Sequence, residues 1–83
     1  MAYNIQYKQS VQKDLADLDK AEARRILNRI EKELGDHPEI YPLLKGPFAG
    51  LRTLRVGDYR VVFALLGQDV LILRIGHRRE VYR

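Results

Sequence analysis

Apolar positions change their spacing twice along this chain. In residues 3–7 (YNIQY) they alternate, with Tyr3, Ile5 and Tyr7 on one side, and this period predicts a strand. From Val11 the spacing becomes helical. Val11, Leu15 and Leu18 recur behind Ser10, which is expected to cap a first helix. Asp19, with Glu22 three residues on, reads as a capping box that opens a second helix. Ala23, Ile26, Leu27, Ile30 and Leu34 form its apolar stripe, and Arg24, Arg25, Arg29 and Lys32 lie off it. Gly35 is expected to end that helix, and Pro38 forbids its resumption. So short a connection between the helices predicts an antiparallel hairpin.

Residues 36–50 hold all three prolines and two glycines and read as a loop. Three strand-like runs follow, LRTLRV, YRVVFALL and VLILRI, separated by Gly57-Asp58 and by GQD at residues 67–69, both hairpin signals. The expected fold is α+β: an N-terminal strand, a helical hairpin, then a three-stranded antiparallel meander. The helices should cover one face of a four-stranded, mostly antiparallel sheet. All 83 residues are needed for this one layer pair, so one domain is expected over residues 1–83.

A two-residue turn at Gly57-Asp58 fixes the pairing of the strands around it. Val56 falls opposite Tyr59, Arg55 opposite Arg60, Leu54 opposite Val61, Thr53 opposite Val62 and Arg52 opposite Phe63. Alternation then puts Leu54, Val56, Tyr59, Val61, Phe63 and Leu65 on the face that meets the helices. Thr53, Arg55, Arg60, Val62 and Ala64 occupy the other, which is expected to be open. Two arginines opposite one another repel by a few tenths to ~1 kcal/mol unless an anion lies between them.

Charge reinforces that reading. Residues 1–44 carry seven Lys/Arg and eight Asp/Glu, whereas residues 45–83 carry eight Lys/Arg and three Asp/Glu. Seven of the eight later basic residues are arginine, whose planar fork matches phosphate oxygens two at a time, so a polyanionic partner is expected. The alternative is a basic surface that serves only solubility, with Arg55 and Arg60 splayed into solvent. There is no cysteine, so neither a disulfide nor thiolate chemistry enters. No secretory signal pattern opens the chain, and a cytoplasmic location is expected.

The rest of the inventory is narrow. No His/Cys/carboxylate set stands at metal-ligand spacing, no glycine-rich phosphate loop is present, and neither metal nor cofactor is expected. The ending RIGHRREVYR brings Arg78, Arg79 and Tyr82 towards the same sheet edge, with His77 inside that basic cluster. Tyr82 can pack on the sheet, stack on a base or exchange a proton. Arginines with a tyrosine suit RNA cleavage by the RNA's own 2′-hydroxyl, in which the protein orients the backbone and stabilises a crowded phosphorane.

LRVGDYRVVF and GHRREVY are the stretches in which the chain most specifically resembles the RelE branch of the RelE/ParE toxin superfamily. The resemblance spans the whole chain. It implies a toxin of a type II toxin–antitoxin system that enters the ribosomal A site, cuts mRNA and is silenced by a RelB-like antitoxin. By the same resemblance Arg60 and Arg78 match phosphate-contacting arginines, and Tyr82 matches the C-terminal tyrosine that stacks on a base. Arg55, then Arg52, match the basic positions of the preceding strand, Lys45 and His77 are auxiliary, and Arg74 and Arg79 become contacts to rRNA or solvent. Relatives often carry lysines on that strand and this chain has none, which leaves the general base open between Tyr82, His77 and the ribosome. Two other readings follow from the same residues: gyrase inhibition without catalysis, as in the ParE branch, and a plain nucleic-acid-binding module.

Overall fold

The computed structural model describes residues 2–79 and Val81. Its elements run β1 (Asn4–Tyr7), α1 (Val11–Ala16), α2 (Lys20–Arg29), β2 (Arg52–Val56), β3 (Tyr59–Leu66) and β4 (Asp69–His77). This is the expected order and the expected α+β class. The sheet order is β1-β4-β3-β2, with β1 parallel to β4 and the other two pairs antiparallel.

The helical stripe works as its spacing predicts. Ile26, Ile30 and Leu34 are fully buried and meet Leu54, Val56, Val61, Phe63, Val70, Ile72 and Ile75 in one cluster with Val11. The Asp19 side chain accepts a hydrogen bond from the Ala21 N–H at 3.2 Å, as a cap should. Glu22 does not close the capping box; its carboxylate takes a hydrogen bond from Arg25 at 3.0 Å instead. Ser10 also departs from expectation, since it has helical dihedrals and makes no side-chain cap bond. After Arg29 the helix widens into a π-helical turn, Ile30–Leu34. Gly35 stands at its end with φ −69°, so the left-handed conformation is not what places a glycine there. Its carbonyl accepts from the Ala2 and Tyr3 N–H groups at 3.1 and 3.2 Å, which ties the chain leading into β1 to the helix end.

Both hairpin turns contain two residues, Gly57-Asp58 and Gly67-Gln68, and Asp69 already belongs to β4. Each glycine has positive φ, 60° and 63°, and no non-glycine residue among those described does, the pattern of a type II′ turn. The β2 edge is not bare. Leu43 bridges Arg52, and the Leu44 N–H donates to the Leu51 carbonyl at 2.8 Å.

β4 contains a bulge that alternation alone does not foresee. Phe63 pairs with Ile72 but Val62 pairs with Arg74, so Leu73 is the extra residue. Before the bulge Val70 and Ile72 point into the core; after it Ile75 does. Were Leu73 paired in a regular ladder instead of bulged, period 2 would drive Arg74 into the core. β1 pairs with β4 only as far as Ile72. Beyond that point the Asp14 carboxylate of α1 accepts the Ile75 N–H at 3.0 Å, so a side chain replaces the missing strand.

Candidate nucleic-acid interface

The face turned away from the helices is built in rows across the sheet. One row is Arg55, Arg60 and Gly76; the next is Thr53, Val62 and Arg74. The Gly57-Asp58 turn therefore sets Arg55 opposite Arg60, as the hairpin register predicts, and the bulge at Leu73 adds Arg74 to the same face. The positive φ is what requires Gly57 at this turn; the Arg25 guanidinium of α2 lies 2.6 Å from an ideal Cβ, but as the end of a flexible side chain it can move aside.

This face is less open than alternation implies. Arg55 and Arg74 are exposed and Arg60 is half-buried, but Thr53 and Val62 are buried between them. Val81 is buried too, at 1% exposure. It packs over Gly76, where an ideal Cβ would lie 3.7 Å from the Val81 Cβ. The short turn before it is tied at both ends. The Arg78 N–H donates to the Asp58 carbonyl at 2.9 Å, and the Val81 N–H donates to the His77 carbonyl at 3.0 Å. Arg78 is thereby anchored to the turn that orients Arg55 and Arg60, and its side chain is exposed.

Among the described residues neither Arg55 nor Arg60 has a carboxylate within ion-pair distance, whereas Arg25 and Arg29 of α2 are paired with Glu22 and Glu33. The Arg60 Nε is buried and has no hydrogen-bond partner among the described residues. A buried unsatisfied donor costs about 1–3 kcal/mol, more on a charged group, and an acceptor oxygen that reached it would relieve that cost.

The other expected site residues separate. Arg52 does not join the row: its Nη1 donates to the Glu39 and Tyr41 carbonyls at 3.1 and 2.7 Å, which clamps the loop before β2. His77 pairs with Tyr59, whose side chain packs on the helix-side core, and the two rings meet edge-to-face at 5.9 Å. It therefore stands across the sheet from Arg60, and its Nδ1 accepts the Arg79 N–H at 3.3 Å. Arg79 is exposed, as is Lys45 just before the turn Gly46–Phe48. Tyr82 lies outside the described residues.

A cavity of about 270 Å³ lies on the His77 side, lined by Asp14, Asp17, Leu18, Tyr59 and His77 and reached by Arg74 at the strand edge. Its acids exclude it as the phosphate-binding surface. Pattern reading missed three residues that shape the site: Leu73, Val81 and Asp14. Leu73 has a visible signal, because the core apolar residues shift from even positions, Val70 and Ile72, to the odd Ile75.

Comparison with known proteins gives the arrangement a family. The family model for the ParE toxin of the type II toxin–antitoxin system parDE matches residues 5–82. No curated protein matches the sequence. Among solved structures, a chain of the RelBE2 toxin–antitoxin complex from Mycobacterium tuberculosis superposes with TM-score 0.86 at 23% identity, over 94% of this chain and 100% of that one. The archaeal RelE–RelB complex from Pyrococcus horikoshii gives 0.67 at 28% identity, over 98% and 100%. The chromosomal ParDE system of P. aeruginosa gives 0.74 at 17% identity, over 92% and 96%. With nearly its whole length matched, the chain belongs to the RelE/ParE superfamily of type II toxin–antitoxin toxins.

Proposed function

We propose that this toxin is an endoribonuclease of the RelE type, which cuts mRNA in the ribosomal A site and so stops translation in the cytoplasm. The single observation that carries the reading is the Arg55–Arg60 pair, set opposite one another with no described carboxylate near and with the Arg60 Nε buried and unpartnered. A solubility surface would spread its charges, because opposed arginines are costly without an anion. A phosphodiester supplies one.

In this reading the 2′-oxygen attacks the adjacent phosphorus while the bond from phosphorus to the 5′-oxygen breaks. The products are a 2′,3′-cyclic phosphate and a free 5′-hydroxyl, so one proton leaves the 2′-oxygen and one arrives on the 5′-oxygen. Arg60 and Arg55 hold the phosphate oxygens, and Arg78, tethered to the Asp58 turn, adds charge as the phosphorane forms. Tyr82 is the proposed base-stacking and proton-transfer group. Proton transfer is not assigned to His77, which stands on the other side of the sheet. Arg74, Arg79 and Lys45 are proposed to rest on rRNA or mRNA phosphates, and a RelB-like antitoxin to silence the toxin. The neighbouring toxin–antitoxin complexes support an antitoxin partner.

Primer extension on mRNA from a translating extract tests this reading. The wild-type toxin should give discrete cuts within codons. An Arg60→Ala, Arg78→Ala double variant should cut at least about 10²–10³-fold more slowly while keeping its circular dichroism spectrum. A second reading, gyrase inhibition, is favoured by the matching ParE family model. Intact mRNA together with inhibited DNA supercoiling would establish it in place of the first.

A further inference from the structure

We infer that Val81 is a positioning residue for the arginine site, an apolar peg that seats the C-terminal turn over Gly76, beside Arg60. The role rests on the cleavage reading above; the seating itself does not. Val81 is 1% exposed, yet it is not part of the helix-side core cluster. Its partner is a vacancy on the other face. An ideal Cβ at Gly76 would lie 3.7 Å from the Val81 Cβ and 3.8 Å from its Cα and Cγ2.

Gly76 is the residue opposite Arg60. A long side chain there would claim the space that Val81 now fills, and the turn carrying Arg78 would have to leave the sheet. The two backbone bonds, Arg78 N–H to Asp58 and Val81 N–H to His77, fix the direction of that turn, and the buried valine holds it down. Three things follow from one apolar contact. The Arg78 backbone stays tied to the hairpin that carries Arg55 and Arg60. The chain immediately before Tyr82 is held on the arginine face. Water is displaced beside Arg60, which strengthens its interaction with an anion.

Amide hydrogen exchange read together with mRNA cleavage tests the inference. In the wild-type toxin the amides of residues 78 and 81 should be protected. Val81→Asp should expose both while Val61 and Val70 stay protected, and should lower turnover about 10²-fold with KM for the programmed ribosome unchanged. Val81→Ile should restore wild-type turnover. Gly76→Leu should reproduce the Val81→Asp defect from the opposite side of the contact, which covers the case in which the aspartate unfolds the protein. Gly76→Ala should keep residues 78 and 81 protected, because its methyl group makes an ordinary van der Waals contact. Val81→Asp with exposed amides and full turnover would overturn the positioning role, and protected amides in Gly76→Leu would overturn the seating. Intact mRNA with the wild-type toxin would overturn the cleavage reading and the positioning role with it, while protection at residues 78 and 81 would still support the seating.

Discussion

The two faces of the sheet are held by opposite kinds of interaction. On the helix side eleven buried residues close into one apolar cluster, rimmed by Tyr3, Tyr7, Tyr41 and Tyr59. Acids from residues 31–39 stand beside three of those tyrosines. Glu31 accepts from the Tyr7 hydroxyl at 3.4 Å, and Glu39 and Glu33 face Tyr3 and Tyr41. On the other side Arg55 faces Arg60 with no described counter-ion, and among the described residues only Thr53, Val62 and Val81 are buried there. One face satisfies itself; the other leaves positive charge for something outside the molecule to satisfy. Residues that raise stability and residues proposed to serve binding are thus separated by the thickness of one sheet.

The helix-side core is where the largest effect is expected, at Phe63, the largest fully buried side chain among the described residues. Phe63→Ala removes a ring that belongs to the apolar cluster and meets Tyr41 edge-to-face. Truncating a buried phenylalanine costs about 3–5 kcal/mol, a large part of a small domain's stability. The variant should unfold far below the wild-type midpoint or lose its cooperative thermal transition, and a midpoint near that of the wild type would contradict the place of Phe63 in the core. A smaller change is Asp14→Ala. It leaves the Ile75 N–H of β4 without its partner at 3.0 Å, and unfolding in urea should show a loss of about 1–3 kcal/mol.

The helix-side cluster was legible because its elements follow one period each. The stripe of α2, the register across Gly57-Asp58 and the four-strand class all follow from spacing and turn chemistry. The arginine face was legible only as far as β2 and β3 extend. Arg74 reaches it through a phase shift inside VLILRI, which a strict alternation hides. The placement of His77 depends on the same shift, since one residue more or less moves it across the sheet. Arg52 was misleading for another reason. It is a charged residue in a basic strand, but the loop before β2 leaves two carbonyls at hydrogen-bond distance, and these occupy its guanidinium. Val81 and Gly76 carry no pattern at all, because their meeting depends on the chain turning back after β4.

Alkaline pH should act on the helix side. Burial, and then the neighbouring Glu31 carboxylate, push the Tyr7 phenol from 10.0 up to about 12. Burial first, and Glu39 or Glu33 next, raise Tyr3 and Tyr41 as well. A phenol whose folded pKa is raised contributes stability in full below its unfolded value and loses it as pH climbs through the folded value. Wild-type stability should therefore fall between about pH 10 and 12, with the Tyr7 phenolate absorbance appearing late. Tyr7→Phe should have a shallower fall over that interval. Equal slopes for the two proteins would remove Tyr7 from the account.

Arg55→Thr should produce the smallest change and the most informative one for the other face. Threonine suits a strand and takes away one of two like charges directly opposed, so stability should rise by a few tenths to ~1 kcal/mol. The gain should shrink with added salt, because Arg55 is exposed and screening weakens its repulsion of Arg60. If the pair is held for a phosphate chain, the same substitution should weaken binding to RNA and lower the slope of log affinity against log salt by about 1. More stability with less binding is the signature of a charge kept for a partner. An Arg55→Thr protein that is less stable, or that binds RNA with an unchanged salt slope, would mean that Arg55 belongs to the packing of the sheet and that the two faces are not divided as their charges indicate.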